Sequence, residues 1–248
     1  MTVLCVDIGN SAIKVGRVSG GRVDRVTAVP GRAAAAEVAR VVARVVGGRR
    51  IDRAAVSSVR PASTAKVLRA IERELGVAAL VVTHRVALPI EIAVRFPARL
   101  GADRICAACG AVRGGLRDAI VVDAGTAVTV DLVLDRRFLG GVILPGPQVM
   151  LTALHACTAQ LPELRVARRE PRGIDDTRSA MTRGATLAVA GGIRAAVELL
   201  EERAGSRPAR WLAGGHGEHL QGRLPGRWHR VPHLTLIGLA EIARLNPA

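Results

Sequence analysis

Asp7-Ile8-Gly9-Asn10-Ser11 brings a carboxylate, a glycine, an amide and a hydroxyl together at the end of the apolar run Val3–Asp7. A tight turn after a strand can aim backbone N–H groups at phosphate oxygens, and Gly9 lets the backbone approach a ligand closely. Asn10 and Ser11 add donors, and Lys14 on the following strand can neutralise phosphate charge as a point cation. Asp7 is suited to hold Mg²⁺ directly or through water. The plain alternative is a hairpin with Asp-Gly turn chemistry, and the motif alone does not decide between the two.

The pattern returns as Asp123-Ala124-Gly125-Thr126-Ala127, after the apolar run Ala119–Asp123 and before an alternating stretch that carries Thr129 and Asp131. Asp123 ends a run too apolar to host an unneeded charge, and it suits a hard cation. Thr126 can donate to a phosphate. Two such hairpins can clamp a nucleotide's phosphates from both sides of a cleft.

Gly101-Ala102-Asp103-Arg104 stands where a loop meets a helix. Asp103 can cap that helix, the reading that spacing alone favours. It can also act as a general base toward a substrate hydroxyl, with Arg104 holding an anionic group bidentately. Gly140–Gly146 and Ala213-Gly214-Gly215-His216 are strand-to-glycine corners, the first suited to an anion at a helix N-terminus and the second to a flat ring such as adenine. Plain turn-making explains either equally well. His216 and His219 are expected at the surface without a third metal ligand. The single C-x-x-C, Cys106 and Cys109, reads as two small apolar residues on one helix face.

The positioning elements follow from periodicity. Strands are expected over Val3–Asp7, Ala12–Val18, Arg22–Val29, Arg53–Val59 and Ala78–Thr83, and helices over Ala33–Val46, from Pro61 to about Leu75, and from Ala102 to about Val112. The order then restarts with strands over Ala119–Asp123, Thr126–Leu134 and Phe138–Leu144. Helical stretches follow over Pro145–Thr158 and Ser179–Glu202, the second interrupted near Gly191-Gly192. A short strand at Arg210–Leu212 and a terminal helix over Leu234–Leu245 complete the chain. A duplicated three-stranded meander followed by helix–strand alternation indicates two similar lobes, residues 1–115 and 116–248, with a cleft between them.

The 248 residues carry a formal charge of +15, nearly all of it from arginine, since Lys14 and Lys66 are the only lysines. No dense basic tract occurs, so GC-rich coding accounts for the charge better than a nucleic-acid partner does, although an anionic nucleotide would benefit from the field. The apolar runs are short and punctuated by Asp123, Asp131 and Glu241, which argues against a membrane span. Met1–Val6 leads into Asp7 without the basic, apolar and cleavage regions of a signal peptide, so a cytoplasmic location is expected.

In order and spacing, Asp7–Lys14, Gly101–Arg104, Asp123–Asp131, Gly140–Gly146, Thr158-Ala159 with Leu161-Pro162, Thr177 to Gly184, and Gly214-Gly215 resemble type III pantothenate kinases. The resemblance implies an α/β fold of two RNase H-like lobes, the actin/sugar-kinase/Hsp70 architecture, each lobe a mixed sheet flanked by helices. It implies ATP-dependent phosphorylation of pantothenate, the first step of coenzyme A synthesis, by a homodimer. Asp7, Ile8, Gly9, Asn10, Ser11, Ala12, Ile13 and Lys14 would bind ATP phosphates, and Asp7 would also bind Mg²⁺. Thr126 would contact ATP. Gly101, Ala102, Asp103, Arg104 and Thr177 would meet pantothenate, with Asp103 taking the proton. Asp123 would hold a monovalent cation, K⁺ or NH₄⁺. Two departures stand out: the tyrosine usual before the G-x-D-R motif is Val94 here, and the later T-G-G reads Ala213-Gly214-Gly215. Alternatives are a transcription accessory factor that resembles this family, and a kinase of this fold with another small hydroxylated substrate.

Overall fold

The computed structural model describes residues 1–166, 171 and 173–247, with His219 and Gln221 by their backbone alone. The first stretch runs β1 (Thr2–Ile8), β2 (Ala12–Ser19), β3 (Arg22–Pro30), α1 (Ala35–Val46), β4 (Arg53–Ser58), α2 (Pro61–Leu75), β5 (Ala79–Val81), β6 (Glu91–Ile92) and α3 (Ala102–Ala111). The second runs β7 (Ala119–Ala124), β8 (Ala127–Leu134), β9 (Arg137–Pro145), α4 (Pro147–Ala156), α5 (Thr177–Ala204), β10 (Ala209–Ala213), α6 (Gly217–Gln221), β11 (His229–Arg230) and α7 (Leu234–Leu245). Packing groups Met1–Ala119, Val133–Gly140 and His233–Ala248 in one compact unit, and Ile120–Leu132 with Gly141–Pro232 in another.

The first sheet is ordered β3-β2-β1-β4-β5. β2 lies antiparallel to both β1 and β3, while β4 lies parallel to both β1 and β5. Side chains alternate between the faces of a strand. Leu4, Val6 and Ile8, with Ile13, Val15, Ala54 and Val56, therefore pack against Val38, Val42 and Val45 of α1 and Val67 and Ile71 of α2. Each such buried side chain contributes about 1.5–3 kcal/mol. Arg17 and Arg25 close the carbonyl end of α1: Arg17 Nη1 donates to Val46 O at 2.8 Å and Arg25 Nη1 to Arg44 O at 2.6 Å.

The opposite face of this sheet carries Cys5, Asp7, Lys14, Gly16 and Ser57, and it meets α3 and α7. Those two helices cross with their backbones nearly touching. A Cβ on Gly110 would stand 2.6 Å from Leu234 O, and one on Gly238 would collide with Cys106 O. Glycine is the one residue that permits this approach.

The second sheet is ordered β11-β10-β7-β8-β9-β6. Read from β9, it runs β9-β8-β7-β10-β11, the same order as β3-β2-β1-β4-β5. The short β6 pairs in parallel with the start of β9, through Glu91 with Arg137 and Ile92 with Phe138. In the second unit Leu151, Met181 and Ala185 hold α4 against α5. The expected interruption at Gly191-Gly192 does not occur: α5 continues through both glycines. Gly192 lies tight against Leu144, where a Cβ would come within 2.9 Å of Leu144 Cδ1, so the glycine serves packing and not a break. β6, β11 and α6 are additions to the sequence-based reading, being too short to show a period. No helix among the described residues is long and apolar enough to cross a membrane.

Candidate active site

β1 is apolar from Val3 to Val6, so Asp7 reaches the end of a buried strand and is 8% exposed. Antiparallel register sets Lys14 opposite it on β2, and parallel register sets Ser57 beside it on β4. The β1–β2 turn is closed by Gly9 N–H donating to Ala12 O at 3.0 Å, which leaves Asn10 and Ser11 exposed at its tip. Gly31 N–H donates to Ser11 O at 2.9 Å, and Arg60 Nη1 donates to Asn10 O at 3.1 Å. Arg60 stands at the corner from β4 into α2, where Pro61 opens the helix.

Gly101 occupies the N-cap of α3 in extended backbone and contributes no side chain there. Asp103, half-buried in the first turn, accepts from Arg104 N–H through Oδ1 at 2.8 Å. The Arg104 guanidinium lies 5.6 Å from the centre of the Phe138 ring. Val94 is half-buried, and its Cγ1 is the nearest atom to the open side of Gly140, at 3.6 Å from an added Cβ.

α3 also carries Cys106, one turn beyond Asp103. Burial raises its thiol pKa well above the usual value, and the charges of Cys109, Asp7 and Asp103 raise it further, while Ser57 pulls the other way. Cys106 is therefore held as a neutral thiol. The Ser57 hydroxyl is fully buried, and its hydrogen bond to the Cys106 thiol is what pulls that pKa down. His233, which precedes α7, is held below its ordinary pKa by burial and then by the Lys14 charge. Lys14 thus points to the α3–α7 side of the sheet, next to His233.

In the second unit Asp123 ends β7 half-buried, and Gly214 leaves room for its carboxylate: a Cβ there would stand 2.5 Å from Asp123 Oδ1. Gly125 N–H donates to Ala127 O at 3.1 Å, Gly146 N–H to Thr126 O at 3.0 Å, and His216 N–H to Ala124 O at 3.0 Å. Thr126 is exposed at the tip of the hairpin, and Asp131 is 1% exposed within β8. Thr177 begins α5 and is exposed, with Asp176 Oδ1 accepting from Arg178 N–H and Ser179 N–H at 2.9 and 3.0 Å.

The first unit thus gathers Asp7–Lys14 with Gly101–Arg104, and the second gathers Asp123 and Thr126 with the Gly214 corner. Thr177 belongs to a different element from either hairpin. His216 is half-buried and its backbone closes a corner, so it is not the surface residue expected; the His219 side chain lies outside the described residues. Cys5, Cys106 and Cys109 are buried, as a packing role requires, and Cys157 is exposed. Ser57, Arg60 and His233 are the residues that motif spacing missed. The one signal for them was Ser58-Val59-Arg60-Pro61, a strand-to-helix corner in the place that Ala213–His216 takes after β10.

Two β-sheets that share a five-strand order, each with a carboxylate at the end of its first strand and a glycine turn after it, define the sugar-kinase/actin class of fold. Solved structures agree. A ROK family glucokinase from Streptomyces griseus, crystallised with glucose and AMPPNP, aligns over 99% of this chain and 100% of its own at a TM-score of 0.53 and 14% identity. A Campylobacter jejuni protein described as a Baf family transcriptional activator aligns over 97% of both chains at a TM-score of 0.60 and 19% identity. At these identities the likeness concerns the fold alone.

Sequence comparison is narrower. Residues 3–199 match the profile of the type III pantothenate kinase family. A type III pantothenate kinase from Alkalilimnicola ehrlichii is 35% identical over 97% of both chains. Another, from Albidiferax ferrireducens, is 40% identical across 60% of each chain. The chain belongs to the type III pantothenate kinase family.

Proposed function

We propose that this protein transfers the γ-phosphoryl group of ATP to the primary alcohol of pantothenate, forming 4′-phosphopantothenate at the entry to coenzyme A synthesis. The observation that carries this reading is membership of the type III pantothenate kinase family over most of the chain, with the Asp7 hairpin and the G-x-D-R motif of Asp103 both present in one unit. Family membership supplies the substrate.

Phosphoryl transfer asks a protein mainly for alignment and charge neutralisation. In this reading the exposed Asn10–Ser11 turn, with the flanking Ile8, Gly9, Ala12, Ile13 and Lys14, receives the ATP phosphates, and Thr126 receives them from the second hairpin. Gly101, Ala102, Arg104 and Thr177 line the pantothenate site. Asp103 accepts the alcohol proton as the oxygen forms its bond to the γ-phosphorus. The bond from that phosphorus to the bridging oxygen breaks, and ADP leaves. Lobes of residues 1–115 and 116–248 would carry the two hairpins.

Mg²⁺ and a monovalent cation fit the donors present. Asp7 is a carboxylate at a strand end, beside the turn that would receive the phosphates. That suits Mg²⁺, which keeps waters and takes substrate phosphates as ligands. Asp123 supplies a carboxylate close to the Ala124 carbonyl at the Gly214 corner, oxygen donors that suit K⁺ or NH₄⁺. When bound, these ions would offset phosphate charge.

A homodimer in the cytoplasm completes the proposal. Its support is an apolar groove of about 450 Å³ between α4 and α5, lined by Met150, Ala153, Leu154, Gly184 and Ala188. Sedimentation velocity should give twice the 26.0 kDa chain mass.

The decisive experiment is ADP release coupled to a spectroscopic readout. Turnover should require pantothenate, Mg²⁺ and K⁺ or NH₄⁺ together. Asp103→Asn should lower kcat by about 10²–10⁴-fold while the affinity for ATP stays within a few fold. Normal turnover in that variant removes Asp103 from the mechanism. Val94 beside Gly140 favours a second reading, an acceptor other than pantothenate, and a screen of small hydroxy acids and amides in the same assay separates the two.

A further inference from the structure

We propose that Arg95, Phe96 and Arg99 form an anion clamp for the acceptor, which makes a carboxylate on that acceptor the basis of its selection. The inference rests on the kinase reading above and deepens it by naming the charge of the substrate. Phe96 is 52% exposed, whereas Phe138, the other phenylalanine of the chain, is fully buried. A single exposed apolar side chain is ordinary. Here two guanidinium groups lie on its ring, Arg95 at 5.1 Å and Arg99 at 5.2 Å from the centre.

The local chain builds this arrangement. Ala93 N–H donates to Phe138 O at 3.0 Å, which fixes the start of the loop just after β6. Pro97 then opens one 3₁₀ turn over Pro97–Arg99, with Arg99 N–H donating to Phe96 O at 3.0 Å and Leu100 N–H to Pro97 O at 3.1 Å. Side chains three residues apart eclipse in such a turn, so Arg99 is carried over Phe96. Gly101, the N-cap of α3, follows two residues later, and Asp103 stands in the first turn of that helix.

Both arginines are exposed, and among the described residues neither guanidinium meets a carboxylate. The acid before them in the loop, Glu91, is taken by Arg137 at 3.2 Å. Two like charges therefore share one ring with no opposite charge to offset them, a field that favours a bound anion. Exposed cation–π contacts are weak compensation. A guanidinium fork matches a carboxylate, and Phe96 offers an apolar surface to the methylene groups beside it.

The reach fits one molecule. Arg99 precedes Asp103 by four residues, which keeps their Cα atoms within about 14 Å. Pantothenate carries its carboxylate about eight bonds from its primary alcohol, roughly 10 Å when extended. A base at Asp103 and a clamp at Arg95 and Arg99 can serve its two ends. On a purely structural account these arginines are solvated surface charges, indifferent to the charge of the acceptor.

Coupled ADP release with pantothenate and with its neutral primary amide tests the clamp. Arg95→Gln combined with Arg99→Gln should raise KM for pantothenate on the order of tenfold and leave kcat within about twofold. KM for the amide should move by less than about twofold, so the wild-type preference for the acid is lost. In the wild type that preference should shrink as ionic strength rises. Phe96→Ala should show a smaller rise in KM for pantothenate, and Phe96→Trp should recover most of it. Phenylglyoxal labelling read by mass spectrometry needs no turnover: pantothenate should shield Arg95 and Arg99, and the amide should not.

Equal use of acid and amide by the wild type overturns the proposal. So does a double variant whose KM rises equally for both, since that is lost loop structure. If the double variant does not fold, the single variants and the labelling carry the test. If pantothenate is not the acceptor, the pantothenate reading fails by itself. The same acid–amide comparison on whichever acceptor releases ADP then decides the clamp. If none does, the kinase reading fails, and arginines left unshielded by pantothenate refute the clamp as well.

Discussion

The two hairpins of this chain share strand order, a terminal carboxylate and a glycine turn, yet their corners are filled differently. After β4 the corner brings Arg60 across the first hairpin, donating to Asn10 O at 3.1 Å. After β10 the corresponding corner is Gly214, with φ of +87°, pressed against Ala124 O and Asp123 Oδ1. Both corners close on their hairpin by one backbone bond, Val59 N–H to Ile8 O at 3.1 Å and His216 N–H to Ala124 O at 3.0 Å. Topology is thus duplicated while the occupant is not. One copy carries a cation beside its turn, suited to anionic phosphate, and the other presents bare backbone, suited to a flat ring or an ion.

The exits of the meanders are the counterpart. Pro30-Gly31 leaves β3 and Pro145-Gly146 leaves β9, and each glycine N–H closes its hairpin, at 2.9 and 3.0 Å. A Cβ on Gly31 would meet Asn10 O at 2.6 Å, and one on Gly146 would meet Gly125 O at 2.5 Å. Here the halves agree because the demand is the same: a strand end must pass directly over a turn.

The sharpest test of the difference is Gly214→Ala. It forces a side chain into positive φ and onto a carbonyl, and should cost about 3 kcal/mol. For a chain of this size that corresponds to a fall in melting temperature of about 6–12 °C by calorimetry. Gly31→Ala and Gly146→Ala should each cost about 2 kcal/mol, and a large inequality between them would break the claim that the exits are equivalent. Arg60→Ala should cost about 1 kcal/mol and weaken ATP binding severalfold, as one charged hydrogen bond at a half-exposed site allows. An effect as large as that of Gly214→Ala would mean that the two corners are not differently built.

Thiol chemistry should distinguish the units without affecting stability. The three buried cysteines of the first unit stay protonated because burial raises their pKa, whereas Cys157 in the second is exposed. Iodoacetamide should label Cys157 alone in the native protein, as read by mass spectrometry, and all four thiols after unfolding.

The smallest effect belongs to His233. Its folded pKa lies below the ordinary 6.5, so the unfolded chain binds more protons across the interval between the two values. Stability is therefore complete above about pH 6.5 and declines as pH falls through that interval. Urea midpoints at about pH 5.5 and pH 7.5 should differ in the wild type and converge in His233→Gln.

Much of this was legible in the chain itself. Alternation in Ala12–Val18 and Thr126–Leu134, with an aspartate closing each preceding apolar run, was enough to expose the duplicated meander, because strand periodicity is local. The Asp7, Asp103 and Asp123 motifs were visible for the same reason. Order of motifs along the chain was enough to suggest the family. The unbroken α5 was not legible: Gly191-Gly192 looks like a stop until Leu144 is known to fill the space beside Gly192.

The sequence by itself determined which of the longer strands form, where their carboxylates stand and that the pattern occurs twice, since these depend on neighbours within a few residues. Tertiary structure alone decided that Ser57 lies beside Asp7, that the Cys106 thiol feels the Asp7 charge, and that the Lys14 charge acts on His233. Those adjacencies join residues about 50 to 220 positions apart. They depend on which strands pair and on how closely glycine allows two helices to cross, and no local pattern encodes either.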